Sequence, residues 1–155
     1  ALSERVQKGI REVQVEGQLG NRPTIVVAGR SDTLIPVNHA ARAYVGASQR
    51  AGSSLLRYYE VTNAQHFDSF IDLLPGYDSR LVPLHVYFNQ ALDLMYAHLR
   101  SGAPLPASQV VRTTPRGGVA GNAPAIGAAN VPPIATTPAA GNAITYAGGT
   151  LSVPD

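Results

Sequence analysis

The sequence has 155 residues, 45% of them hydrophobic and 14% charged, with a formal net charge of +2 and no cysteine. Lys8 is the only lysine among 12 basic residues, and the arginines stand singly, so no basic run exists to neutralise successive phosphates and no nucleic-acid partner is expected. Lacking cysteine, the chain has no disulfide and no thiolate nucleophile, and lacking a run of about 18 apolar residues it has no membrane-spanning helix.

Leu2, Val6 and Ile10 recur every fourth position, which predicts a helix over residues 2–12. Gly17, Gly20, Asn21 and Pro23 then break the chain. Thr24 to Ala28 is a continuous β-branched and apolar run ended by Gly29, the pattern of a buried parallel strand. After a loop from Ser31 to Pro36, the spacing of Ala41, Tyr44, Val45 and Ser48 predicts a short helix that stops near Gly52. Leu55 to Thr62 reads as a second strand, so the two strands and the helix make one βαβ unit of a parallel sheet.

A turn-rich segment follows, closing on Pro75-Gly76-Tyr77-Asp78-Ser79. A longer helix is expected over 81–99, with Leu81, Leu84, His85, Phe88, Leu92, Met95 and Leu99 on one apolar face and Pro83 in its first turn. Gly102 and Pro104 end it. Beyond Gly102 the only aromatic residue is Tyr146, the charges shrink to Arg112, Arg116 and Asp155, and Ala, Gly, Pro and Thr dominate. Such a composition buries little surface for the entropy it loses, so residues 103–155 are expected to be either a disordered tail or a strap on a larger body. Val110-Val111 and 143–146 are its candidate edge strands.

Two residues in this frame carry chemistry. Asp32 lies just past the C-terminal end of the first strand, where open α/β sheets place functional groups, though an Asp after Ser also suits a plain turn. His66, in Thr62-Asn63-Ala64-Gln65-His66-Phe67-Asp68, follows the second strand as closely, although a lone loop histidine is often an ordinary surface residue. Adjacent parallel strands bring both loops to one sheet edge, where a carboxylate can hold the imidazole tautomer and stabilise the imidazolium formed on proton removal. The order acid, then histidine, is that of α/β-hydrolases, whose serine comes earlier in the chain.

No Gly-x-Ser-x-Gly occurs; Gly46-Ala47-Ser48 is the nearest stretch and falls within a predicted helix. Asp68 is a rival acid, with a loop-capping role as its simpler reading. Asn38, His39 and Phe67 are candidates to line a substrate pocket, His39 otherwise being an exposed first-turn residue. His85 reads as a hydrogen-bonded core histidine and His98 as a helix-end cation. The four histidines show no metal-ligand spacing, and Gly117-Gly118 lacks the strand, lysine and helix start of a phosphate loop, so neither a metal nor a cofactor is expected.

The stretches 27–39, 60–70, 74–89, 108–118 and 148–155 together resemble the C-terminal third of the D-(−)-3-hydroxybutyrate oligomer hydrolases. The first stretch is general to α/β-hydrolases, whereas Leu-Pro-Gly-Tyr-Asp-Ser-Arg-Leu-Val-Pro-Leu-His-Val-Tyr-Phe-Asn (74–89) and Ser-Gln-Val-Val-Arg-Thr-Thr-Pro-Arg-Gly-Gly (108–118) are more particular. The resemblance implies a cofactor-free serine esterase that cleaves short 3-hydroxybutyrate oligomers, the products of polyhydroxybutyrate degradation, to monomer. It also implies a secreted or periplasmic setting, an ordered tail and a nucleophilic serine upstream of Ala1.

The expected architecture is therefore α/β. Residues 1–102 form the C-terminal part of an α/β-hydrolase catalytic domain, with Asp32 and His66 as acid and base, and 103–155 form an Ala/Gly/Pro-rich tail strapped onto it. The expected partners are a small-molecule ester and the N-terminal part of the same protein, and this chain alone is expected to be inactive. Two alternatives stay open: an esterase acting on a feruloyl or lipid-like ester, and a non-catalytic binding or structural fragment.

Overall fold

The computed structural model describes residues 2–155. It is a mixed α/β structure with a three-stranded parallel sheet and a small two-stranded antiparallel sheet. The helix α1 (Leu2–Val13) leads through Gly17 and Gly20, both at positive φ, into β1 (Thr24–Gly29). Then come α2 (Ala41–Arg50), β2 (Leu56–Val61), the short helices α3 (Ser69–Leu73) and α4 (Tyr77–Arg80), and α5 (His85–Ser101). β3 (Gln109–Val111) completes the parallel sheet in the order β1-β2-β3, with Gly29 opposite Val61 and Val61 opposite Val111.

Strand alternation divides the core in two. Tyr59, Val61 and Val111, with Ile25 and Val27, face α5 and pack with Tyr87 and Ile134. Leu56, Tyr58 and Val110, with Val26 and Ala28, face the other way and pack with Val45 of α2 and Ile144. Tyr58, Tyr59 and Tyr87 are fully buried; burial pushes the Tyr59 and Tyr87 phenols up to about 12, and their hydroxyls donate to the Pro106 and Pro132 carbonyls.

Gly29 is a point of tight approach between the loops that follow β1 and β2. A Cβ there would lie 2.4 Å from the carbonyl oxygen of Ala64, two residues before His66. Gly29→Ala is therefore expected to cost about 1–3 kcal/mol by forcing the loops apart. A thermal-melt comparison should show a midpoint several degrees lower; an unchanged midpoint would mean that the backbone yields freely.

Several expectations need correction. The long helix begins at His85 rather than Leu81, because the residue before Pro83 is kept out of the helical region and the Val82 amide instead bonds the Asn63 carbonyl. Its expected apolar face is not its buried face: Tyr87 and Ala91 are buried, whereas His85, Phe88, Leu92 and Leu99 are exposed, so His85 is no core histidine. β1 is half-buried rather than buried, because among the described residues it pairs only with β2. The small-residue segment also buries more than its composition suggests. Val110 and Val111 sit in the parallel sheet, Ile134 and Ile144 in the two half-cores, and β4 (Thr145–Ala147) and β5 (Thr150–Ser152) form a hairpin over Gly148-Gly149. Both hairpin glycines have positive φ, as a two-residue turn of this kind requires.

Two apolar surfaces are left uncovered. α1 has no buried residue. Ile25, Val26 and Val27 of β1 join Phe88, Ala91, Leu92 and Met95 of α5 around an open cavity of about 420 Å³. Among the described residues no helix is long and apolar enough to cross a membrane.

Candidate active site

β1 and β2 run parallel and end together, so the loops that follow them emerge side by side. The Arg30 amide donates to the Val61 carbonyl at 2.7 Å and the Ser31 amide to the Ala64 carbonyl at 3.0 Å, extending the strand pairing into the loops. Asp32 and His66 meet there: Oδ2 of Asp32 lies 2.7 Å from Nδ1 of His66. The other oxygen of Asp32, Oδ1, accepts from the Leu34 and Ile35 amides, both at 2.9 Å. Asp32 thus does both things that the sequence left open, one oxygen shaping the turn and the other facing the imidazole.

An ionised Asp32 makes Nδ1 the protonated nitrogen, which leaves Nε2 with a free lone pair. The Asp32 side chain is 9% exposed and that of His66 30%, so the carboxylate is shielded while the ring stays accessible. Phe67 packs edge-on against the His66 ring with centroids 4.4 Å apart, and Phe70 packs on Phe67. Phe67, Asp68, Leu84, His85 and Phe88 line a cavity of about 310 Å³ together with His66.

The other sequence candidates fall in different places. Asp68 accepts from the Leu84 and His85 amides at 2.7 and 2.9 Å, so its carboxylate caps the start of α5 while Asp32 pairs with His66. Phe67 lines the His66 cavity, but Asn38 and His39 do not. Asn38 accepts from Arg42 at 3.0 Å, and His39 borders a separate hollow with Val15, Tyr44 and Ala47. His98 bonds the Ala103 carbonyl through Nδ1 at 2.8 Å.

Two residues that the sequence did not single out hold this edge together. Glu60, fully buried on β2, accepts from Arg30, from Arg42 at 2.8 and 2.6 Å, and from the Tyr58 hydroxyl at 2.7 Å. Burial raises its pKa, but these hydrogen bonds and charges outweigh burial and leave the carboxyl below its ordinary value. Arg30 also donates to the Pro154 carbonyl at 2.7 Å. An acidic residue on a predicted strand of a parallel sheet, at Glu60, was the available signal. Gln65 is the second such residue. Its Oε1 accepts from the Thr33 amide at 2.8 Å and the His66 amide at 3.2 Å, and its Nε2 donates to the Thr33 hydroxyl at 3.1 Å.

Residues 1–155 match the family described as 3HB-oligomer hydrolase. The chain is 58% identical over 160 residues to the D-(−)-3-hydroxybutyrate oligomer hydrolase of Paracidovorax citrulli, covering 100% of this chain and 23% of that protein. It is 59% identical over 160 residues to the protein of that name from Ralstonia pickettii, covering 100% of this chain and 22% of the relative. The corresponding figures for the Cupriavidus metallidurans protein are 57% over 151 residues, 95% of this chain and 21% of the relative. The chain thus spans less than a quarter of the length of these curated relatives. No solved structure matches it.

Proposed function

The chain belongs to the 3HB-oligomer hydrolase family, and from that premise we propose that it is the C-terminal part of an α/β-hydrolase serine esterase that releases 3-hydroxybutyrate from its short oligomers. The observation that carries the reading is the 2.7 Å pair between Asp32 and His66 at the shared C-terminal edge of two parallel strands. In the proposed reaction an upstream serine Oγ attacks the ester carbonyl while Nε2 of His66 takes its proton, and Asp32 stabilises the resulting imidazolium. His66 then gives that proton to the departing alkoxide oxygen, which leaves as a hydroxyl as the ester C–O bond breaks. In the second half Nε2 draws a proton from water, which attacks the acyl-serine; the acyl–Oγ bond then breaks, His66 returns the proton to Oγ, and the acid is freed.

The serine belongs, in this reading, to the part of the protein that covers the open edge of β1 and the apolar faces of α1 and α5. Those uncovered surfaces support a larger catalytic body, with β1 to β3 completing its sheet and the rest of 103–155 strapped across it. The cavity beside His66, walled by Phe67 and Phe88 with His85 at its side, suits a small branched acyl unit with few polar groups.

The test is hydrolysis of the linear 3-hydroxybutyrate trimer by the full-length protein, beside feruloyl and long-chain fatty esters. Release of monomer from the trimer, well above turnover of the other two, is the expected result. An inert trimer with a cleaved aromatic or fatty ester would overturn the substrate assignment, and inertness towards all three would overturn the esterase.

A further inference from the structure

We propose that Gln65 is a positioning residue that locks the acid loop to the histidine loop, an inference that rests on reading Asp32 and His66 as a catalytic pair. Gln65 precedes His66 and its side-chain partner Thr33 follows Asp32, so one carboxamide ties together the immediate neighbours of both groups. The two backbone amides in front of Oε1 can only donate, which fixes the orientation of the carboxamide and turns Nε2 to the Thr33 hydroxyl. Gln65 is 3% exposed, so water does not compete for these bonds. The Ser31–Ala64 backbone bond and the tight approach at Gly29 bring the loops together before the pair in the chain, and Gln65 adds a side-chain tie beside it.

The arrangement sets where Nδ1 meets Oδ2 and hence where Nε2 points. Without Gln65 the acid turn still has its own Asp32 amide bonds, and the histidine loop still hangs from β2 and from Asp68. What is lost is the side-chain tie that completes their mutual registration, on which proton transfer depends more steeply than substrate binding does.

The experiment measures kcat, KM and thermal midpoint on the trimer for the full-length protein carrying Gln65→Met, Thr33→Val, both together, Thr33→Ser and, as a control, Asp32→Asn. Gln65→Met should lower kcat roughly 10- to 100-fold, as expected of a small misplacement, with KM changed less than about twofold. Thr33 is exposed, so Thr33→Val carries little folding risk; it should lower kcat less, add little to Gln65→Met, and be largely reversed in Thr33→Ser. A Gln65→Met enzyme with parental kcat, or one whose loss only tracks its unfolded fraction, overturns the positioning role. So do Thr33→Val and Gln65→Met effects that simply add. If Asp32→Asn itself keeps parental activity, the catalytic pair fails and the positioning role falls with it; if Asp32→Asn is inactive while Gln65→Met is not, only the positioning role is lost.

Discussion

Asp32→Asn in the full-length protein is expected to cut monomer release from the trimer by roughly 10⁴-fold, the scale seen when a triad carboxylate is neutralised. The asparagine carbonyl can still accept from the Leu34 and Ile35 amides, so the turn and the fold should survive. Its NH₂ group, however, would then face Nδ1 and stabilise the tautomer whose proton sits on Nε2, the wrong atom for a base. His66→Ala should be at least as damaging, because it removes the proton acceptor itself. Initial rates on the trimer, with circular dichroism as a check of folding, give the answer. A folded His66→Ala enzyme with near-parental rates would remove His66 from the mechanism.

The second large effect concerns stability. Glu60→Ala should cost about 3 kcal/mol or more, because it strands two guanidinium groups and the buried Tyr58 hydroxyl that now converge on one carboxylate. Arg30 and Arg42 are 21% and 27% exposed, so part of their charge can return to water, which sets the loss at the lower end of the buried-pair range. Glu60→Gln keeps the shape and a carbonyl acceptor and should lose less. The pH dependence follows from the lowered pKa of Glu60. The stabilisation is complete above the ordinary carboxylate value and is lost as pH falls through the depressed one, so it belongs to the acid side. Midpoints of thermal melts from neutral pH downward should converge for parent and variant as acid protonates Glu60; parallel curves would show that the network contributes nothing through its charge.

The βαβ unit and the meeting of Asp32 with His66 could be read from sequence because each depends on local features. A β-branched run, a glycine stop and a short helical period fix the two strands, and parallel neighbours with short loops fix which ends meet. The start of α5 was hidden because its cap, Asp68, lies 17 residues before His85. Its buried face was hidden because Phe88, Leu92 and Leu99 look like core residues yet face outward. Val110-Val111 reads as an edge strand, but with only three residues β3 could not be assigned to the parallel sheet, and Ile134 is isolated among small residues. Glu60 shows in the sequence only as an acidic residue on a strand, and both it and Gln65 reach partners 18 to 32 positions away, Arg42, Arg30 and Thr33, that no local pattern identifies.

The bond from Arg30 to the Pro154 carbonyl joins residues 124 positions apart. Arg30 therefore waits for its last partner until that much more chain has been synthesised, roughly 6–25 s at about 5–20 residues per second. β1 and β2 can pair once Val61 has emerged, whereas the outer edge of β2 stays bare until Gln109–Val111 follow, a template for pairing with other nascent chains. Productive folding of this region thus depends on timing during translation. Slower synthesis between β2 and β3 should favour mispaired, aggregating chains, whereas chaperones that shield bare strand edges should favour the native sheet.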